Sequence, residues 1–198
     1  RALAMAPNSP KSALDGPPVF AGDGTLTPGP DFRAVNTMQP PFQPSRLPPK
    51  SDTEKEFAAS NHAEYLPPQT ADTIGDLLER RGIEWAWYAG AWQDALDNRA
   101  ASAAPNFQFH HQPFNYFAAF APGTEMRKKR LRDGGLDGDT FIRLARKGDL
   151  PQVSFYKPQG NLNEHAGYAA VLAGDEHIAK VVKALMDSPK WGSTLVVV

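Results

Sequence analysis

The sequence predicts an α/β fold: a mostly parallel sheet with flanking helices, preceded by a proline-rich loop region. Two observations carry this. From residue 70 onward, helix-like and strand-like segments alternate three times, the pattern of parallel strands joined by helical crossovers. Before it, residues 1–69 hold most of the 19 prolines, several as pairs such as Pro17-Pro18, Pro40-Pro41, Pro48-Pro49 and Pro67-Pro68. Such pairs block both helix and central strand, because each proline lacks a donor and fixes its own φ.

The expected organisation is therefore a loop-dominated segment over 1–69 packed on the core, and a partial α/β core over 70–198. In the first part, Val19-Phe20 and Leu26 around Asp23-Gly24 fit a small hairpin. Interspersed Phe20, Phe32, Val35, Met38, Phe42 and Tyr65 argue for ordered loops, since disordered segments are poor in such residues.

In the second part, Thr70–Gly82 reads as a capped helix. Thr70 or Asp72 can accept from free amides, Ile74, Leu77 and Leu78 share a face, and Gly82 ends it. Glu84-Trp85-Ala86-Trp87-Tyr88 reads as a strand, with a short helix around Ala91–Leu96. Trp85, Trp87, Tyr88 and Trp92 are expected to pack the core. Asp139–Gly148 is a second helix and leads into a strand over Leu150–Tyr156. A third helix spans Ala173–Met186, with Ile178, Val181, Val182 and Leu185 at helical spacing, and Thr194–Val198 reads as a buried final strand. Asp133–Gly138 has glycines but no Lys-Ser/Thr partner, so a turn is expected there in place of a phosphate loop. The basic run Arg127, Lys128, Lys129, Arg130 and Arg132 is flanked by Glu125, Asp133, Asp137 and Asp139 and reads as a solvated helix face.

Composition narrows the function. Lys plus Arg number 21 against 22 Asp plus Glu, a net charge of −1, so no basic field draws nucleic acid. The absence of cysteine excludes disulfides, thiolate metal sites and cysteine nucleophiles. No apolar run reaches the length of a membrane helix, and no signal peptide is visible. The chain opens on Arg1 and closes on the apolar run Leu195–Val198, which suggests a piece of a longer protein.

In a parallel sheet, ligands bind beyond the C-terminal ends of the strands. That directs attention to the segments after Tyr88, Tyr156 and Val198. Two histidine-bearing stretches stand out: Asn106–Tyr116, with His110 and His111, and Pro158–Tyr168, with Asn163, Glu164 and His165. Imidazole there can ligate a metal, protonate a leaving group or donate to an anionic oxygen. Lys157, directly after the second strand, can orient a phosphate. His62 and His177 are expected to be exposed. No H-E-x-x-H and no G-x-S-x-G element is present.

Five blocks taken together, Asn36–Ser45, Leu66–Asp76, Trp85–Gly90, Phe109–Tyr116 and Asn161–Tyr168, resemble the bacterial phosphoesterase family of acid phosphatases and non-haemolytic phospholipases C. The resemblance spans nearly the whole chain. It implies an alkaline-phosphatase-like core, periplasmic or secreted placement, and hydrolysis of phosphate esters, phospholipids among them, by a Ser or Thr nucleophile beside a divalent metal ion. It also implies that the nucleophile and the principal metal ligands lie outside this chain, so that none of its residues is a metal ligand and the chain alone is inactive. What carries over is a histidine shell. His111, with His110 beside it, matches a His-His-x-Pro-Phe element, and His165 matches a Glu/Gly-His-Ala-Gly-Tyr element. Both are implied to contact the phosphoryl group or protonate the leaving oxygen, with His110, Asn163, Glu164 and Lys157 as candidates for substrate binding. A non-catalytic binding module that kept the fold is the alternative.

Overall fold

The computed structural model describes residues 3–11, 15–16, 19–22, 39–62, 64–97, 107–166 and 168–198. Two compact units are present, residues 1–35 and 36–198. In the first, β1 (Leu3–Met5) pairs antiparallel with β2 (Phe20–Gly22), Leu3 opposite Gly22 and Met5 opposite Phe20. Phe20 is thus in a hairpin-like pair with a segment before it. The expected partner Leu26, with Asp23-Gly24, lies outside the described residues, as do Phe32, Val35 and Met38.

The second unit is built on a three-stranded parallel sheet in which β3 (Trp85–Gly90) lies between β4 (Leu131–Gly135) and β5 (Val153–Lys157). The central strand β3 (Trp85–Gly90) alternates, as any strand must, between two faces. Trp85, Trp87 and Ala89 pack on one side with Trp92, Phe107, Phe114 and Phe120. Ala86 and Tyr88 pack on the other with Phe141 and Val181. The tryptophans are core residues, as expected.

Four helices of this unit follow the sequence closely. α1 (Ile74–Arg80) is capped by Thr73, whose hydroxyl accepts from Asp76 N–H while the Asp76 carboxylate accepts from Thr73 N–H. The cap therefore sits at neither Thr70 nor Asp72: only Thr73 has an acid three residues on to close the reciprocal box. The buried side of α1 also runs differently, since Ile74 and Leu77 are half exposed. Gly75 faces the core instead, because a Cβ there would lie 2.4 Å from the Trp85 ring. α2 (Trp92–Leu96), α4 (Asp139–Lys147) and α5 (Val171–Met186) occupy the expected segments. β5 covers Val153–Lys157.

The basic run departs from expectation. It forms α3 (Glu125–Arg130) and leads without a loop into β4 (Leu131–Gly135), a strand the pattern did not announce. Lys128 and Lys129 face solvent, but Arg127 and Arg130 turn inward. Arg127 bonds Asn115 Oδ1 (2.6 Å) and the carbonyls of Phe120 and Gln43. Asn115 in turn donates to Phe42 O (2.8 Å), so the Pro-rich loop over 39–58 is tied to the core by buried polar contacts. Arg130 is held by Glu79, Glu84 and the Trp85 carbonyl and lies over the Trp85 ring. Guanidinium groups with that many partners can be buried, which sequence charge alone does not reveal.

Three further expectations are corrected. Thr194–Val198 is not a strand; Leu195, Val197 and Val198 are 85–89% exposed. Apolar β-branched residues form a strand only beside a partner, and no described strand lies alongside them. Asp133–Gly138 is no simple turn, since its first half completes β4 and its second half is a 3₁₀ turn. His177 is buried on α5, with Nε2 2.8 Å from the Tyr156 hydroxyl. His62 is exposed as expected.

Candidate functional site

The site lies past the C-terminal ends of β3 and β5, where the two strands release their chains. Lys157, the last residue of β5, is in register with Ala89 of β3. His110 and His111 come from a 3₁₀ turn (Phe109–His111) docked on the same face, fixed by the Trp87 indole N–H donating 2.8 Å to the His111 carbonyl. The loop after β5 brings in Asn163 and His165.

Asn163 joins the two histidine stretches. Its Oδ1 accepts from the His165 backbone N–H at 3.1 Å, which turns its Nδ2 toward His111 Nε2 at 3.3 Å. An amide nitrogen can only donate, so His111 Nε2 is the accepting nitrogen and the imidazole proton sits on Nδ1. His165 is fixed in the same tautomer: its Nδ1 lies 2.7 Å from the Ala166 carbonyl, which can only accept. Its ring stacks on Tyr168, centroids 4.6 Å apart and planes 11° from parallel. His165 Nε2 is then the unprotonated, accepting nitrogen of the ring.

The electrostatics are one-sided. Burial, then the charges of Lys157, His110 and His165, push His111 down to about 3, and it is 1% exposed. His110 is lowered by burial and by Lys157 and His165. Burial lowers Lys157 as well. Every charge bearing on the two adjacent histidines is cationic, so the site is short of an anion.

Its polar atoms are also short of partners. Among the described residues, the buried side-chain atoms with no hydrogen bond are His110 Nδ1, His111 Nδ1, both amide atoms of Gln112, and Tyr168 Oη. All belong to the two histidine-bearing stretches. Buried polar groups are nearly always satisfied by protein, ordered water or a ligand, so these atoms have hydrogen-bonding capacity left for water or a bound molecule.

Of the residues expected from sequence, His110, His111, Lys157, Asn163 and His165 are brought together. Glu164 is not with them. With φ +61, its side chain lies over Gly174 of α5, where a Cβ would meet Glu164 Cγ at 2.2 Å. Gln112 and Tyr168 were missed, although both sit inside the blocks that carried the resemblance. Tyr168 could have been found from its place three residues after His165.

A comparison with protein families matches residues 24–198 to the Phosphoesterase family. The chain belongs to the phosphoesterase family. Hydrolysis of phosphate esters is the chemistry of that family, and a cluster of histidines beside a lysine at the strand ends is consistent with it. A search of curated proteins finds no match.

The divalent ion implied by the resemblance does not fit the residues present. Among the described residues no group of three or more His, Asp or Glu could hold a metal, and these histidines crowd a lysine where a metal site would gather carboxylates. Among them, too, no helix is long and apolar enough to cross a membrane.

Proposed function

We propose that this chain supplies the phosphoryl-binding and proton-transferring shell of a hydrolase acting on phosphate mono- or diesters of the acid phosphatase or phospholipase C type. The observation that carries the reading is the pair of unpartnered buried Nδ1 atoms on His110 and His111, with Lys157 close enough to act on both rings. A phosphoryl group offers what they require: several acceptor oxygens and negative charge. His111 donates through Nδ1–H, and Lys157 contributes charge. His165, its Nδ1–H committed to a carbonyl, takes up a proton from solvent on Nε2 and, as the imidazolium, gives it to the departing oxygen.

The resemblance supports the remaining parts of this reading. A hydroxyl nucleophile and a divalent ion act from outside these residues, phospholipids are among the substrates, and the protein works in the periplasm or outside the cell; it is the net charge of −1 that argues against a nucleic-acid partner. The chain alone is then expected to bind phosphate and to leave esters uncleaved.

Titration with orthophosphate, followed on the imidazole resonances, tests it. His110, His111 and His165 should shift together and saturate in the millimolar range, roughly 4 kcal/mol of binding, while His62 stays still. Lys157→Ala should weaken the response severalfold. Shifts that are absent, or equal at His62, would sink the reading. Clear ester turnover by the chain would refute the placement of the nucleophile outside it.

A further inference from the structure

We propose that Gln159 is a positioning residue that sets the contact between Asn163 and His111. The inference rests on the phosphoryl-binding reading of the histidines, because that is what the position serves.

The argument begins where the sheet stops helping. β5 ends at Lys157, and Pro158 has no N–H with which to extend the ladder. Beyond it the chain crosses the end of β3 so closely that a Cβ on Gly90 would lie 2.5 Å from Gln159 N and 3.1 Å from the Pro158 carbonyl carbon. Backbone contact of that kind fixes a distance but leaves the loop free to slide along the sheet edge. The Gln159 side chain, 1% exposed, removes that freedom. Its Oε1 accepts from the Asp137 backbone N–H at 2.8 Å, and its Nε2 donates to Asp137 Oδ1 at 3.1 Å. The same nitrogen donates to Asn161 Oδ1 at 2.9 Å. Both ends of the amide are thus used. They cross-link the loop after β4, where Asp137 holds φ +53, to the loop after β5.

Two residues past Asn161, Asn163 makes its paired contacts with His165 N–H and His111 Nε2. The path from Asp137 through Gln159 and Asn161 to Asn163 spans the open end of β3. It is the part of this loop anchored by a buried side chain, whereas Glu164 and His165 are exposed. Among the described residues the Gln159 side chain hydrogen-bonds Asp137 and Asn161 and no histidine, so its effect passes through Asn163.

The test uses the whole chain and two variants that break the clamp differently. Gln159→Leu removes all three bonds. Asp137→Gly removes one while favouring the backbone conformation already present, so it should fold even where the first variant does not. Each should weaken orthophosphate binding about threefold to tenfold, the loss expected for one or two hydrogen bonds. Each should also move the His111 nitrogen resonances toward those of Asn163→Ala. In an Asn163→Ala background, Gln159→Leu should change neither quantity further. His111 resonances that stay unmoved in both folded variants, or losses that add in the double variant, overturn the proposal. Should the wild type bind no phosphate while His111 still follows Gln159 and Asn163, the positioning stands and the phosphoryl reading falls.

Discussion

The Asn163 amide nitrogen lies 3.3 Å from His111 Nε2, and the Asn163 oxygen is already engaged by the His165 N–H. One side chain thus decides the tautomer of a histidine 52 residues away in sequence. Asn163→Asp replaces the donor with an acceptor. His111 should then carry its proton on Nε2, with Nδ1 left accepting. The exchanged pattern of imidazole nitrogen resonances reads this directly. Orthophosphate should bind at least tenfold more weakly, since the new carboxylate adds negative charge within a few ångströms. An unchanged nitrogen pattern would show that the amide does not select the tautomer.

Acid should destabilise the fold through His111. Its native value is held at about 3 by burial and by neighbouring cations, against about 6.5 unfolded. Between those values the unfolded chain binds the extra proton and the native one does not, so stability is full above pH 6.5 and falls as pH drops toward 3. The slope is about 1.4 kcal/mol per pH unit in the middle of that window. Glu84, held at about 2 chiefly by its hydrogen bond to Arg130, adds a loss of the same sign below about pH 4.5. Urea melts from pH 7 to 4 should show the decline, and His111→Gln should flatten its upper part. A flat wild-type profile between pH 6.5 and 4.5 would exclude a buried neutral His111.

The residues explain which parts of this were legible in sequence. Helices with an apolar stripe and a glycine stop, such as Asp139–Lys147, announce themselves because both signals are local. β4 did not, since Leu131–Gly135 contains an arginine, an aspartate and two glycines, and it is a strand only because β3 offers it a ladder. Thr194–Val198 erred in the opposite sense, with every strand-forming residue type and no neighbour among the described residues. His165 was found from its place after a strand, and His110 and His111 from their adjacency and from the resemblance. Their supports were not: Gln159 and Tyr168 matter through burial and through the groups they touch, which spacing cannot express.

Arg130 anchors the far end of the sheet. Its guanidinium, 3% exposed, bonds Glu79, Glu84 and the Trp85 carbonyl. Arg130→Met keeps much of the volume but strands Glu79 and a buried carbonyl. The cost should be about 2–4 kcal/mol, below the full value for a buried pair because both carboxylates reach solvent. Thermal melting should fall by several degrees. Orthophosphate binding should be preserved, because Arg130 sits before β4 starts while the histidines lie past the ends of β3 and β5. A loss of phosphate binding in a well-folded Arg130→Met protein would contradict that separation.

Gly138 and Gly123 allow backbone strain to be separated from packing. Both hold positive φ, +72 and +84, so alanine at either costs about 1–2 kcal/mol from the left-handed conformation alone. At Gly123 a Cβ would meet nothing within 4 Å, whereas at Gly138 it would lie 2.4 Å from Tyr156 Oη and 2.7 Å from His177 Cε1. These two side chains form the 2.8 Å hydrogen bond that ties α5 to β5, and Phe141 of α4 stacks on Tyr156 at 4.3 Å. The bond cannot yield without leaving a buried hydroxyl and imidazole unpaired. Gly138→Ala should therefore cost about 2 kcal/mol more than Gly123→Ala, measured as the difference between their urea midpoints at equal m. Equal costs for the two glycine variants would mean that the Tyr156–His177 pair gives way freely, and that α5 is held by its apolar contacts alone.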